Sequence, residues 1–206
     1  MKGFSFCLYL VGVLGFLGCA ENSFKSEEEL LEFLDDEENL FVNRKLINGI
    51  RFELLIKPND LVVLQEAGKT FDVAIVDSLR NKFNPYLFLN LSISKNNQEL
   101  LSNMGEGQEA FGTLVNTLSF ELGDLVHLYS RSKDTIPLLD YVYPRMYGMS
   151  KSTSVLLVFN RGKMNEMDSF TLSLEDFGLN TGEIKFKIDE LQIFKQPQLD
   201  FEVLER

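Results

Sequence analysis

Three features of the 206-residue chain have side chains of a type or spacing that could do chemistry. They are two thiols, one imidazole and one dense aromatic run. Cys7 and Cys19 are the thiols, and His127 is the imidazole. So few ligands exclude a multi-His zinc site and a disulfide framework. His127 sits between Val126 and Leu128 in a stretch that reads as a strand, on the face opposite those apolar neighbours. A structural or surface role is expected there. No Gly-x-Ser-x-Gly marks a nucleophile elbow, and no Gly-x-Gly-x-x-Gly opens a helix after a strand. Gly105-Glu106-Gly107 is a lone glycine pair beside an acid that repels phosphate. No catalytic residue, metal ligand or cofactor is expected. A carboxylate-pair hydrolase remains the enzymatic alternative, because two acids distant in sequence can meet.

The densest constellation is Asp140-Tyr141-Val142-Tyr143-Pro144-Arg145-Met146-Tyr147-Gly148-Met149. On a strand Tyr141 and Tyr143 share a face, and Pro144 ends the ladder. Tyr and Arg are the types enriched in binding hot spots, and aromatic faces also stack on sugars. Tyr141, Tyr143, Arg145 and Tyr147 are therefore the candidate binding residues. The competing reading is a strand-to-loop corner whose tyrosines pack into the core.

Charge narrows the partners. Twenty Lys and Arg against 31 Asp and Glu leave a net charge of −11. Nucleic acid, which requires a basic footprint, is not an expected partner.

The N-terminus has another character. Lys2 precedes an uncharged stretch of 15 residues from Phe4 to Gly18. As a helix that is about 22 Å, short of the roughly 30 Å hydrocarbon core. It reads as a signal peptide over residues 1–18. The stretch ends in Phe16-Leu17-Gly18-Cys19, which resembles the lipobox of bacterial lipoproteins, with Phe16 where Leu is usual. The resemblance implies cleavage before Cys19 and its modification by diacylglycerol and an acyl chain such as palmitate. It also implies attachment to the cell envelope through the lipid. Ala20, rather than Asp, after the Cys favours the outer membrane by the same analogy. An ordinary secretory signal or an uncleaved anchor are the alternatives. Several acyl chains on one residue, at about 0.8 kcal/mol per buried CH₂, hold a protein on a membrane without a spanning helix.

Residues 20–42 carry nine acids against Lys25. With Cys19 they are expected to form a lipidated, acidic, solvated tether (19–42). Within it Ser26 and Glu29 fit a capping box, and an amphipathic helix over 27–38 is plausible. Acidic residues soon after the acylated Cys are also similar to the export address of Bacteroidota surface lipoproteins.

Residues 43–206 are read as a single β-rich domain. Strands are expected over 51–57, 61–65, 86–94, 125–129, 136–143, 154–159, 170–174 and 184–188. Helices are expected over 98–104 and 109–118, while 67–84 is ambiguous. The order resembles immunoglobulin-like domains of bacterial lipoproteins. The strand Tyr86-x-Phe88-x-Asn90-x-Ser92, the apolar Leu156-Leu157-Val158-Phe159 and the terminal alternating pair carry that likeness. It implies a mainly β, immunoglobulin-like β-sandwich with one or two inserted helices; an α+β fold is the alternative. The resulting reading is a lipid-anchored, non-catalytic binding or assembly module for another envelope protein or a glycan. A ligand-free structural spacer is the remaining alternative.

Overall fold

The structure, a computed structural model, describes residues 23–68, 72–103, 108–164 and 169–204. The signal peptide, Cys19 and Gly105-Glu106-Gly107 lie outside the described residues.

The chain is built as β1 (Ser23–Phe24), α1 (Glu27–Asp35), β2 (Val42–Ile47), β3 (Ile50–Lys57), α2 (Asn59–Ala67) and α3 (Val73–Phe83). Then come β4 (Tyr86–Lys95), β5 (Gln98–Glu99), α4 (Gln108–Asn116), α5 (Leu122–Leu125), β6 (Val126–Ser130) and β7 (Thr135–Ile136). The rest is β8 (Leu138–Val142), β9 (Thr153–Asn160), β10 (Phe170–Leu174), β11 (Ile184–Ile188), α6 (Glu190–Phe194), β12 (Gln198–Leu199) and α7 (Phe201–Leu204).

Two antiparallel sheets dominate. One runs β2-β3-β4-β9-β8, with β5 paired to the end of β4. The other runs β11-β10-β6-β7. In the first sheet Phe52 pairs with Ile93, Leu54 with Leu91 and Ile56 with Leu89. Leu91 and Leu89 in turn oppose Val155 and Leu157. Because side chains alternate along a strand, these pairs bring one apolar face together, and it is fully buried. In the second sheet Leu172 lies between Leu128 and Phe186 in the same way. The buried faces of both sheets and the helices share one apolar cluster.

The architecture is thus mixed α+β, which the sequence reading held as its alternative. More helices are present than the one or two insertions expected. Residues 61–65, expected as a strand, lie in α2. Pro58 and Asn59 stand at a helix start, where a missing N–H costs nothing. The expected strand 136–143 is divided at Pro137: β7 pairs with β6 and β8 with β9, so the chain changes sheets there. Of residues 98–104, expected as a helix, 98–103 instead form β5 and a short 3₁₀ turn, Leu100–Asn103, and residue 104 lies outside the described residues.

The acidic segment requires a larger correction. Residues 23–42 are part of the folded domain, not a solvated tether. Ser23 and Phe24 pair in parallel with Gln198 and Leu199. Ser26 caps α1, its Oγ accepting from the Glu29 amide at 3.1 Å, while the Glu29 carboxylate accepts from the Lys25 amide at 3.0 Å. Leu30 and Leu34, one helical turn apart, are 0% and 1% exposed. Phe24, Phe33 and Phe41 stack in sequence, with ring centroids 4.9 and 6.0 Å apart. The carboxylates point outward around this apolar stripe, and burial of the stripe decides the outcome. Arg44 of β2 pairs with both Asp35 and Glu53 and ties the end of α1 to the sheet.

An ion pair with a buried carboxylate joins α2, α3 and β12. Asp60 is 5% exposed and accepts from Arg80 Nε at 2.9 Å, from Arg80 Nη2 at 2.6 Å and from the Leu199 amide at 2.8 Å. Arg80 Nη2 also donates to the Leu199 carbonyl at 2.9 Å.

Leu34→Ala should cost about 3 kcal/mol, the usual penalty for a core Leu truncation. Equilibrium denaturation checks it. A solvated tether at residue 34 would give no change in the midpoint.

Candidate functional site

The tyrosine-rich segment lies on an edge strand. Among the described residues β8 pairs with β9 alone, through Asp140, Tyr141 and Val142 against Val158, Leu157 and Leu156. The register shifts between Leu138 and Asp140, a bulge of the kind that twists sheet edges. The other side of β8 therefore presents backbone N–H and C=O groups unpaired by a strand.

The four candidate residues divide into two kinds. Tyr141 and Tyr143 turn to the same side, as strand alternation requires, and both are half-buried against the core. Tyr141 packs on α5 at Gly123, where an added Cβ would lie 3.3 Å from Tyr141 Cε1. A larger residue there would have to push the tyrosine ring back by a few tenths of an ångström. Burial pushes the Tyr141 phenol above its ordinary pKa; the Leu122 backbone opposes this, and Asp124, Glu121 and Asp140 add to it. Burial likewise raises the Tyr143 phenol, with a contribution from Glu99. These two side chains build the platform.

Arg145 and Tyr147 are exposed. Arg145 Nη2 donates to Ser119 Oγ at 2.8 Å, which joins the loop to a second element. That element is a π turn, Thr117–Glu121, inserted between α4 and α5. Glu121 holds it closed by accepting from Asn116 Nδ2 at 2.6 Å and Thr117 Oγ1 at 2.9 Å. The turn carries Phe120 outward, 74% exposed beside Ser119. Tyr147 is 78% and Met149 79% exposed, and Leu139, Val142 and Met146 are exposed as well. The surface is thus more apolar than its sequence motif alone suggests. Phe120 and the methionines complete it, and the wide π turn that presents Phe120 has no local sequence signature.

The loop is held from beneath by a buried carboxylate. Glu99 of β5 is 3% exposed, and its oxygens accept from the Gly148 amide at 2.8 Å and the Ser150 amide at 3.1 Å. Tyr147 and Gly148 both have positive φ, 51° and 82°. The bonds to Glu99 fix that bend, which Gly148 accepts without strain. His127 is elsewhere, on β6, where its Nε2 lies 2.7 Å from Glu175 Oε1 at the surface.

No protein-family model and no curated protein matches the sequence. A solved structure similar to the chain is a protein of unknown function from Burkholderia pseudomallei K96243. It is 12% identical, covers 73% of this chain and 80% of its own, and superimposes with a TM-score of 0.37. A likeness that slight bears on neither fold nor function.

Glu99→Ala should free the loop. The Gly148 and Ser150 amides should exchange with solvent faster, and stability should fall by about 1 kcal/mol as two partly exposed amides lose their charged acceptor. Hydrogen exchange followed residue by residue, with β3 and β4 as internal reference, measures both effects.

Proposed function

We propose that this is a lipid-anchored cell-envelope protein whose domain is a non-catalytic binding module for another envelope protein. The observation that carries the proposal is the exposed apolar surface of Phe120, Leu139, Val142, Met146, Tyr147 and Met149 along and beside an unpaired strand edge. An edge strand offers main-chain hydrogen bonds to an extended segment, and flanking apolar side chains give it specificity. Flexible methionines and aliphatic side chains suit a protein partner better than a glycan, which needs planar stacking faces framed by polar groups. A carboxylate hydrolase and a plain spacer both leave this surface without a role.

We further infer an immunoglobulin-like sandwich as the finer description of the fold. Taking β3, β4, β6, β8, β9, β10 and β11 as strands A to G gives sheet orders A-B-E-D and C-F-G. Those are the orders of an immunoglobulin domain, with β7 beside β6 where variable domains place an extra strand. Helices α2 and α3 then sit between A and B, α4 and α5 between B and C, α1 before A and α6 and α7 after G, and β2 extends the first sheet.

The anchor rests on the lipobox resemblance at Cys19. The acidic helix α1 begins eight residues beyond it, so the domain would stand close to the bilayer. An outer-membrane location follows the same analogy. No helix among the described residues is long and apolar enough to cross a membrane.

Two measurements test this reading. Intact-mass analysis of the membrane fraction should show a chain beginning at an acylated Cys19; a chain retaining residues 1–18 would sink the anchor. Val142→Lys combined with Tyr147→Ser should reduce capture of envelope proteins by about tenfold, at an unchanged unfolding midpoint. An unchanged set of captured proteins would remove the surface from the proposal.

A further inference from the structure

A second site lies away from β8, where α2, α3, the turn after β9 and the approach to β12 meet. They form a half-open pocket of about 220 Å³ lined mostly by polar side chains, among them Asn59, Arg80, Asn81, Asn84, Arg161 and Gln196. Two cations and one anion, Asp60, face this space. Asp60 and Arg80 neutralise each other through two short hydrogen bonds.

Arg161 is left as the net charge. Its Nη2 donates to Asn59 Oδ1 at 3.1 Å and Gln196 Oε1 at 3.2 Å, and its Nη1 to Asn84 Oδ1 at 3.4 Å. All three acceptors are neutral amides. No carboxylate pairs with Arg161 among the described residues. Arg161 Nε and Gln196 Nε2 are enclosed donors with no hydrogen-bond partner. Burial lowers the pKa of Arg161, and no charge among the described residues offsets the effect.

A half-buried guanidinium without a counter-ion is costly, and natural interiors pair such charges. The arrangement here turns amide oxygens toward the cation. A planar fork of N–H donors suits two oxygens of one ligand.

We propose that this cavity binds a small oxyanion, a carboxylate or a phosphate group, with Arg161 as its counter-charge and the Asn84 and Gln196 amides as supporting donors. The site is independent of the β8 surface, so either proposal can fail alone. The cavity admits a ligand of metabolite size or the charged end of a larger one.

The test uses the full-length protein with inorganic phosphate and acetate as probes, against chloride at matched ionic strength. Saturable binding by calorimetry, with a rise in unfolding temperature, is expected for at least one probe. Phosphate acting alone would assign a phosphate site, and acetate acting alone a carboxylate site. Arg161→Gln should weaken binding by about tenfold or more. Lys185→Gln, on β11, should leave it unchanged. Since Arg161 also straps three segments together, Asn84→Asp gives a second arm. A carboxylate there supplies an internal counter-ion, so the protein should be more stable without added anion and should lose its response to the probe. Absence of any saturable effect over chloride in the wild-type protein, or an unaltered response in Asn84→Asp, would overturn the proposal.

Discussion

The carboxylate of Asp60 organises more of this molecule than any other single group. It is buried in the first turn of α2, and three N–H donors converge on it. Two come from Arg80 on α3 and one from the Leu199 backbone on β12. Through β12 the contact reaches β1, and through β1 it reaches α1. Arg80 is itself confined, with its guanidinium 5.1 Å from the Phe201 ring. Such a pair adds little net stability, because desolvating both charges offsets most of their attraction. Its effect is selection: other packings of α2, α3 and β12 leave a buried charge without its partner. The same pairing determines the electrostatics nearby. Because Arg80 is taken by Asp60, Arg161 is the charge left over in the pocket beside it among the described residues.

Strands with strict alternation were legible in the sequence. β10 and β11 lie where strict period-2 patterning placed them, β4 where alternation over half its length did, β3 where a β-rich run ending at a turn signal did, and β9 where a nearly continuous apolar run did. The losses occur where a local signal has two meanings. Leu61-Val62-Val63-Leu64 is apolar and partly β-branched, yet Pro58 and Asp60 ahead of it suit a helix start as well as a turn. Only packing against α3 decides between them. Asn48-Gly49, with φ of 51° and 77°, is a two-residue hairpin signal that discloses β2 on its far side. Asn96-Asn97 does the same for β5, with φ of 54° and 57°. In α1 the dense acids suggested a solvated segment. Their spacing leaves Leu30 and Leu34 on one stripe, and two fully buried leucines outweigh the screened repulsion of exposed carboxylates.

The candidate surface was legible only in part. Alternation correctly put Tyr141 and Tyr143 on one side of a strand. It could not say that this side is the inner one, because both faces of β8 carry apolar residues. Tyr141 is admitted by Gly123, which lies 18 positions earlier, and the loop is bent by Glu99, about fifty positions earlier. The polar cavity is less legible still. Asn59, Arg80, Arg161 and Gln196 come from four separate segments, and none has a neighbour in sequence that marks it. Fold topology assembles such a site, so spacing rules have nothing to detect.

The overall charge of −11 works against long-range attraction of an oxyanion. Solvent exposure decides the matter. Nine of the acids lie in residues 20–42, and those on α1 and the turn after it are exposed to water. At physiological ionic strength an exposed charge is largely screened beyond about 8 Å. Arg161 acts at hydrogen-bonding distance, in a cavity walled by protein, where the effective dielectric constant is lower and screening is weak. The acidic exterior therefore slows the approach of an anion more than it weakens the bound state. It also favours small ligands over large polyanions, whose outlying charges would face the acidic surface. The proposed site, a half-buried cation on an acidic protein, is thus a selective arrangement, and its selectivity comes from the net charge around it.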